Sequence, residues 1–332
     1  MLRILIISLS IGICYLNFIV YKSYVLQTGV VEDFNALDYK KENFVKLENL
    51  KTSFPSLSGT AFPIYALLAN YKIMFGDVNG ALEILNNYKV VNPYLRVRES
   101  LKAEAYFRLG IRDSSYHYSK IAYENLPLNA RHYQQYMTEL TWRKDLDEIN
   151  KIFLNSRGKS KPGFWINYFA AIVNLQKEND VSVADSLATI ALKKFPKNGK
   201  IKAISGYILY GQENIKKSYD LFNEGVKKYH ESNFELASQK FIEAVNLNPI
   251  DYSFKENAGM SLINLGDFKK ASVYLEQSLN TIDKPNNGKA EYGLGMCYKE
   301  LNQKTKSCEY LTQAMRLNYK PAFNYFSQNC NK

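Results

Sequence analysis

His117, His132 and His230 are the only histidines of this 332-residue chain. A metal site needs three or four such ligands on one point, and these three sit on separate predicted helices. The chain has no glycine-rich phosphate loop, no C-x-x-C, no H-E-x-x-H and no G-x-S-x-G. Glu99 with Glu104, and Asp145 with Asp147 and Glu148, come nearest to paired carboxylates, but acids on amphipathic helices ordinarily face water. No catalytic constellation, metal set or cofactor cradle emerges. The chain is not expected to be an enzyme, and an enzyme with a cryptic site is only a distant alternative. One row of side chains suits binding instead. Lys289, Tyr292, Met296 and Lys299 follow the 3, 4, 3 spacing of one helix face. A buried stripe does not normally begin and end with lysine, so this face opens to solvent or to a ligand. If it is a groove wall, its lysines steer an acidic segment and its tyrosine supplies contact area. The alternative is a convex or lateral face over which the lysines snorkel.

The elements that would position such a row are announced by proline. Seven of the nine prolines, Pro93, Pro127, Pro162, Pro196, Pro249, Pro285 and Pro321, are separated by 34, 35, 34, 53, 36 and 36 residues. Proline lacks an N–H and restricts the residue before it, so a helix usually stops there. A stop about every 34 residues fits two short helices and two turns, repeated. Small residues also recur twelve apart: Ala69 and Ala81, Gly225 and Ala237, Gly259 and Ala271, Gly295 and Ser307. Helices approach closely only where side chains are small, so each pair marks the contact inside a hairpin. A lone hairpin cannot bury enough surface to offset its ordering entropy, and stacking supplies the missing core. Most of the 26 tyrosines are expected to fill gaps between helices with their hydroxyls wet.

These residues resemble the tetratricopeptide repeat family. The best copies are Ser218 to Pro249, with Leu221, Gly225, Ala237, Phe241, Ala244 and Pro249, and Gly288 to Pro321, with Gly295, Tyr298, Leu311 and Ala314. Copies starting near Phe62, Arg96 and Tyr252 are recognisable, although the Arg96 copy carries Ser115 and Ser119 where the family has an alanine and a large apolar residue. Those starting near Ala130 and Phe164 rest on register. The resemblance implies an all-α solenoid of helical hairpins, a tetratricopeptide-type α-α superhelix, with the first helix of each hairpin on a concave wall that receives peptides or extended segments. That wall would hold Trp165 and Tyr168, then Glu256 and Met260, then Lys289, Tyr292, Met296 and Lys299. The family's carboxylate clamp for chaperone tails is not matched, since Ala66 stands where it needs lysine. More weakly, residues 54–136 resemble the repeat tails of bacterial O-antigen polymerase or ligase proteins; their multi-span catalytic domain is absent from this sequence, so at most an accessory role in envelope polysaccharide assembly is implied.

The 53-residue interval leaves 19 residues beyond one period, enough for one helix but not a hairpin. Three consecutive helices and a phase break are therefore expected there. The domains read as an anchor at 1–24, a linker and leading helix at 25–61, an N-terminal array at 62–197, a phase-break helix at 198–217, a C-terminal array at 218–320 and a cap at 321–332. Between Lys193 and Lys228, nine lysines against three acids supply +6 of the net +11. A solvated lysine face is the plain account, and a site for an acidic partner or anionic lipid the alternative. Nucleic acid is not expected.

Ile4 to Val20 is uncharged and at 1.5 Å per residue reaches about 26 Å, just short of a hydrocarbon core. Tyr15, Tyr21 and Tyr24 could form an interfacial belt at one end. No A-x-A cleavage site or lipoprotein box follows, which favours a retained single-pass anchor over a cleaved signal and a secreted protein. Arg3 before the span, and Glu32 and Asp33 after it, favour an inside N-terminus and an exported repeat domain. Cys308 lies on the last repeat's second helix and Cys330 ends the cap that folds back over it, so the two either bridge or stay as separate thiols. A membrane-anchored scaffold for a protein or peptide partner in the bacterial cell envelope is the resulting expectation.

Overall fold

In a computed structural model of the chain, residues 2–36, 38–50, 57–58, 61–88, 92–175, 182–281, 284 and 286–330 are described; Pro285 of the proline series and Phe54 lie outside them. The described residues form eighteen α-helices and no sheet, with a single antiparallel bridge between Leu57 and Pro63. In chain order the helices are α1 Leu2–Ala36, α2 Lys41–Leu50, α3 Ile64–Met74, α4 Val78–Asn87, α5 Val97–Arg108, α6 Arg112–Asn125, α7 Ala130–Arg143, α8 Leu146–Leu154 and α9 Pro162–Leu175. They continue as α10 Ser182–Lys194, α11 Gly199–Tyr210, α12 Gln212–His230, α13 Phe234–Leu247, α14 Tyr252–Asn264, α15 Phe268–Leu279, α16 Lys289–Glu300, α17 Lys304–Arg316 and α18 Lys320–Asn329. Hairpin starts expected near Phe62, Arg96, Ala130, Phe164, Tyr252 and Gly288 all fall within two residues of a helix start. The start expected near Ser218 lies inside α12, which begins earlier because Gly211, at φ +81°, breaks it from α11.

The chain divides into two compact units, residues 1–171 and 172–332. The boundary between the units falls within α9. In the first unit α3 packs on α4 and α5 on α6, around Ala66, Ala69, Ala81, Leu85, Leu101 and Ala105. In the second, α12–α13, α14–α15 and α16–α17 are hairpins, α11 lies against α10 and α12, and α18 caps α17. Small residues make these contacts close. A methyl group at Gly259 would lie 2.5 Å from Leu275, and one at Gly295 2.6 Å from Leu311. Ser307 uses the same proximity to donate a hydrogen bond to the Gly295 carbonyl at 2.7 Å. Full burial of a residue such as Phe241 contributes roughly 1.5–3 kcal/mol. Tyr71, Tyr133, Tyr136 and Tyr168 are buried outright, so for these four the hydroxyl is not wet.

The boundary drawn between Tyr24 and Val25 falls inside α1, which runs unbroken to Ala36. Ile4 to Tyr21 lies on the surface, whereas Ser23, Gln27, Val30 and Asp33 form a buried stripe at helical spacing. Asp33 fastens this half of α1 to the repeats: its Oδ2 accepts from the Tyr71 hydroxyl at 2.7 Å and from Lys40 N and Asn43 Nδ2 at 2.9 Å. The residues after the span are thus the opening helix of the first packed layer. Arg3–Phe34 contains a stretch long and apolar enough to cross a membrane. In the second unit, Cys308 and Cys330 form a disulfide that ties α18 to α17. Cys297 is a buried free thiol, pushed up to about 12 by its burial.

Candidate partner-binding groove

Trp165 and Tyr168 are core residues and do not line a groove. The Trp165 indole is 3% exposed, meets Phe153 edge-on and donates to the Lys159 carbonyl at 2.7 Å. Tyr168 is fully buried, stacks on Phe153 at 4.0 Å and donates to Asn150 Oδ1 at 2.7 Å. The physical reason lies in α9, whose solvent side is the stripe of Gly163, Asn167, Ala170 and Asn174, so that Trp165 and Tyr168 fall on the faces turned to the core.

In the second unit the other six expected wall residues do come together, but largely satisfied. Lys289 pairs with the buried Glu256 at 3.1 Å, and Lys299 with Glu300 at 2.6 Å. Their own chain supplies the acids that a partner was expected to bring. The Tyr292 ring packs on Tyr319 at 5.3 Å and Tyr325 at 5.7 Å, and burial raises its phenol above the usual range. Met260 and Met296 are half-buried against the cluster of Leu262, Leu275 and Leu294. The cap thus occupies the place foreseen for a ligand.

The first unit holds a different site. A cavity of about 600 Å³ opens along α3, α5 and α7, the first helices of three successive hairpins. Asn129 starts α7 by accepting from Arg131 N at 3.0 Å and His132 N at 3.2 Å. Arg131, Gln135 and Thr138 then line the cavity at positions i, i+4 and i+7, and Trp142 at i+11 continues the stripe with 55% of its surface exposed. Among the described residues the Arg131 guanidinium makes no ion pair or side-chain hydrogen bond; Glu104 acts on it through its charge and itself bonds Arg108 at 2.8 Å. Burial draws that guanidinium below its usual range, and Glu104 partly offsets the effect. Burial and the Arg131 charge together hold His132 at about 4.

At the other end of the stripe lies Glu139, 1% exposed. Its Oε1 accepts from Ser115 at 2.7 Å and Arg112 at 3.4 Å, while its Oε2 is buried without a partner. The Ser115 hydroxyl also lies 3.0 Å from the Ala103 carbonyl, and one proton serves only one of the two acceptors at a time. Arg112 is sandwiched between Phe107 at 4.2 Å and Trp142 at 5.4 Å. The groove thus combines an unpaired cation, an unfilled acceptor and an exposed aromatic plane. Ser115, a departure from the repeat pattern, is the residue that donates to Glu139, a partner that the repeat period does not reveal. Trp142, on the first helix of a hairpin and on the Arg131 face, was available from spacing alone.

Residues 253–282 and 290–321 match the tetratricopeptide repeat model, and these two segments, α14–α15 and α16–α17, are tetratricopeptide repeats. No curated protein matches the chain. Among solved structures, a tetratricopeptide repeat protein from Parabacteroides merdae is 10% identical over 90% of this chain and 94% of its own, with a TM-score of 0.32. The Cut9–Hcn1 hetero-tetramer of the APC/C gives 13% identity over 87% of this chain and a TM-score of 0.32; this chain spans 52% of the matched one. The TPR2AB domain of yeast Sti1, in a complex with an Hsp90 peptide, is 14% identical over 70% of this chain and 94% of its own, with a TM-score of 0.31. The fold and the repeats define an interaction scaffold of the tetratricopeptide type.

Proposed function

We propose that this scaffold is held at a membrane by α1 and binds a protein partner through its first unit, in the extracytoplasmic space of a bacterial envelope. The observation that carries this reading is the change of character along one unbroken helix: Ile4 to Tyr21 apolar and uncovered, Ser23 to Asp33 packed into the repeats. At 1.5 Å per residue, the step from Val20 to Ser23 is only about 5 Å. The first unit then sits against the membrane surface with no flexible linker, so a partner of that unit is membrane-proximal. Exposed Tyr21 and Tyr24 suit the headgroup region at that junction. The Cys308–Cys330 disulfide fits an oxidising compartment.

The test combines fractionation and crosslinking in cells. The intact chain should resist carbonate extraction of membranes, and added protease should reach the repeats from the outer side only. Recovery as a soluble protein with Met1 still present would refute the anchor, and a mature N-terminus beyond Tyr24 would replace it with a cleaved signal. A photoreactive residue at Thr138 should capture a protein. Capture of an O-antigen polymerase or ligase would support the polysaccharide-assembly role; capture of none would refute the scaffold assignment.

A further inference from the structure

We infer that two copies of this chain pair in parallel through one face of α1, the stripe of Ser10, Cys14, Asn17, Tyr21, Tyr24 and Thr28. This interface rests on the anchor reading and adds what the anchor does within the bilayer. The six positions follow 4, 3, 4, 3, 4 spacing along one unbroken helix, the heptad repeat of two helices that stay in contact over their length. The stripe is turned away from the repeats. At about 100° per residue, its centre lies about 150° round the helix from Ser23, Gln27, Val30 and Asp33, which the first unit covers. Tyr21, Tyr24 and Thr28, the part of the stripe beside those buried residues, all stay exposed. A second copy therefore reaches the whole face without displacing the fold.

Hydrogen bonding favours a like copy over lipid. Ser10, Cys14 and Asn17 are polar side chains within the uncharged span, and all three are exposed. Asn17 donates one Nδ2 proton to the Ile13 carbonyl at 3.0 Å; among the described residues its Oδ1 and its second amide proton have no partner. Asn17 lies four residues, about 6 Å, before Tyr21, so in hydrocarbon no water completes those bonds. Polar groups at that depth turn to another helix and not to acyl chains. The amide carries both donor and acceptor and is its own complement. Copies inserted the same way hold Asn17 at the same depth, so each Oδ1 accepts the other's spare Nδ2 proton across a two-fold axis. An unlike span would need an amide of its own at that depth. Ser10 and Cys14 are small enough for the two backbones to approach, and the Tyr21 and Tyr24 rings close the contact at headgroup level. Ser8, Gly12 and Tyr15 fall on the opposite face and stay outside the pair.

Membranes from cells expressing the full-length protein would be oxidised with copper phenanthroline and run on a non-reducing gel. Native Cys14 should link the copies into a reducible dimer, since Cys297 is buried and Cys308 and Cys330 already bridge each other. Cys14→Ser should abolish that band. In the Cys14→Ser background, Ser10→Cys and Tyr21→Cys should restore the dimer, and Gly12→Cys should not. Asn17→Leu, read by sedimentation equilibrium of the full-length protein in detergent, should weaken dimerisation about three- to tenfold, while Asn17→Gln should keep most of it. These positions lie on the exposed part of α1, so circular dichroism should be unchanged in every variant. No dimer at Cys14 in a chain that resists carbonate extraction would overturn the pairing and leave the anchor standing. Linking at Gly12 as strong as at Ser10, or a Cys14 adduct with a different protein in place of the dimer, would also overturn it. A chain recovered as a soluble protein would sink the anchor and the pairing together.

Discussion

Acidification should loosen the first unit through a single residue. His132 is 3% exposed and its Nδ1 has no hydrogen-bond partner. Burial and the neighbouring Arg131 charge lower its pKa from 6.5 to about 4. The folded-state value lies below the unfolded one, so the stability this residue contributes is complete above pH 6.5 and disappears as the pH falls towards 4. At about 1.4 kcal/mol per unit, the whole window is worth about 3 kcal/mol, and pH 5 removes roughly 2 kcal/mol of it. Urea unfolding followed through Trp165, buried against Phe153 in the same unit, reads this directly. The wild-type midpoint should fall between pH 7 and pH 5, and His132→Gln should flatten that fall even if it lowers stability at pH 7. Arg131→Gln should trim the pH dependence without removing it, since burial is the larger cause. A His132→Gln protein with the wild-type pH slope would refute the reasoning.

Three further outcomes follow from packing. Removing residues 1–21 should leave a folded, detergent-free protein, whereas removing 1–36 leaves the Tyr71 hydroxyl and Asn43 amide without their Asp33 acceptor and should cost about 1–3 kcal/mol for each donor that stays buried, read by thermal unfolding monitored by circular dichroism. Reducing the Cys308–Cys330 bridge, which closes a loop of 22 residues, should destabilise the C-terminal end by about 3 kcal/mol and speed amide exchange in α18 while α3–α5 are unaffected. Gly295→Val would drive side-chain atoms into Leu311 and the Ser307 carbonyl, and a loss of about 1–3 kcal/mol in urea is expected, with Gly12→Val near neutral as its control.

The hairpins were legible because the contacts that make them are local: a small residue and its partner twelve positions on report the same close approach that Gly259 and Gly295 show. Proline gave the period, and Gly211 moved one helix start away from it. The groove was less legible, for an electrostatic reason. Whether a lysine or arginine is free to meet a partner depends on which acid lies opposite on another helix, and the repeat period does not carry that information. Lys289 looked available until Glu256, 33 residues earlier, was found to neutralise it. Arg131 is a like case, since the Glu104 that acts on it through its charge bonds Arg108 instead. The tryptophans make the same point for apolar contact. Trp165 lies on the core side of its helix, opposite Asn167 and Asn174, and is consumed by the core, while Trp142 shares its helix with Arg131, Gln134 and Thr138 and stays exposed. In a stacked-hairpin protein, the period identifies the helix that faces a groove. Binding capacity then belongs to the side chains on that helix that the fold leaves exposed or without an ion pair, and in the first unit those include Trp142 and Arg131.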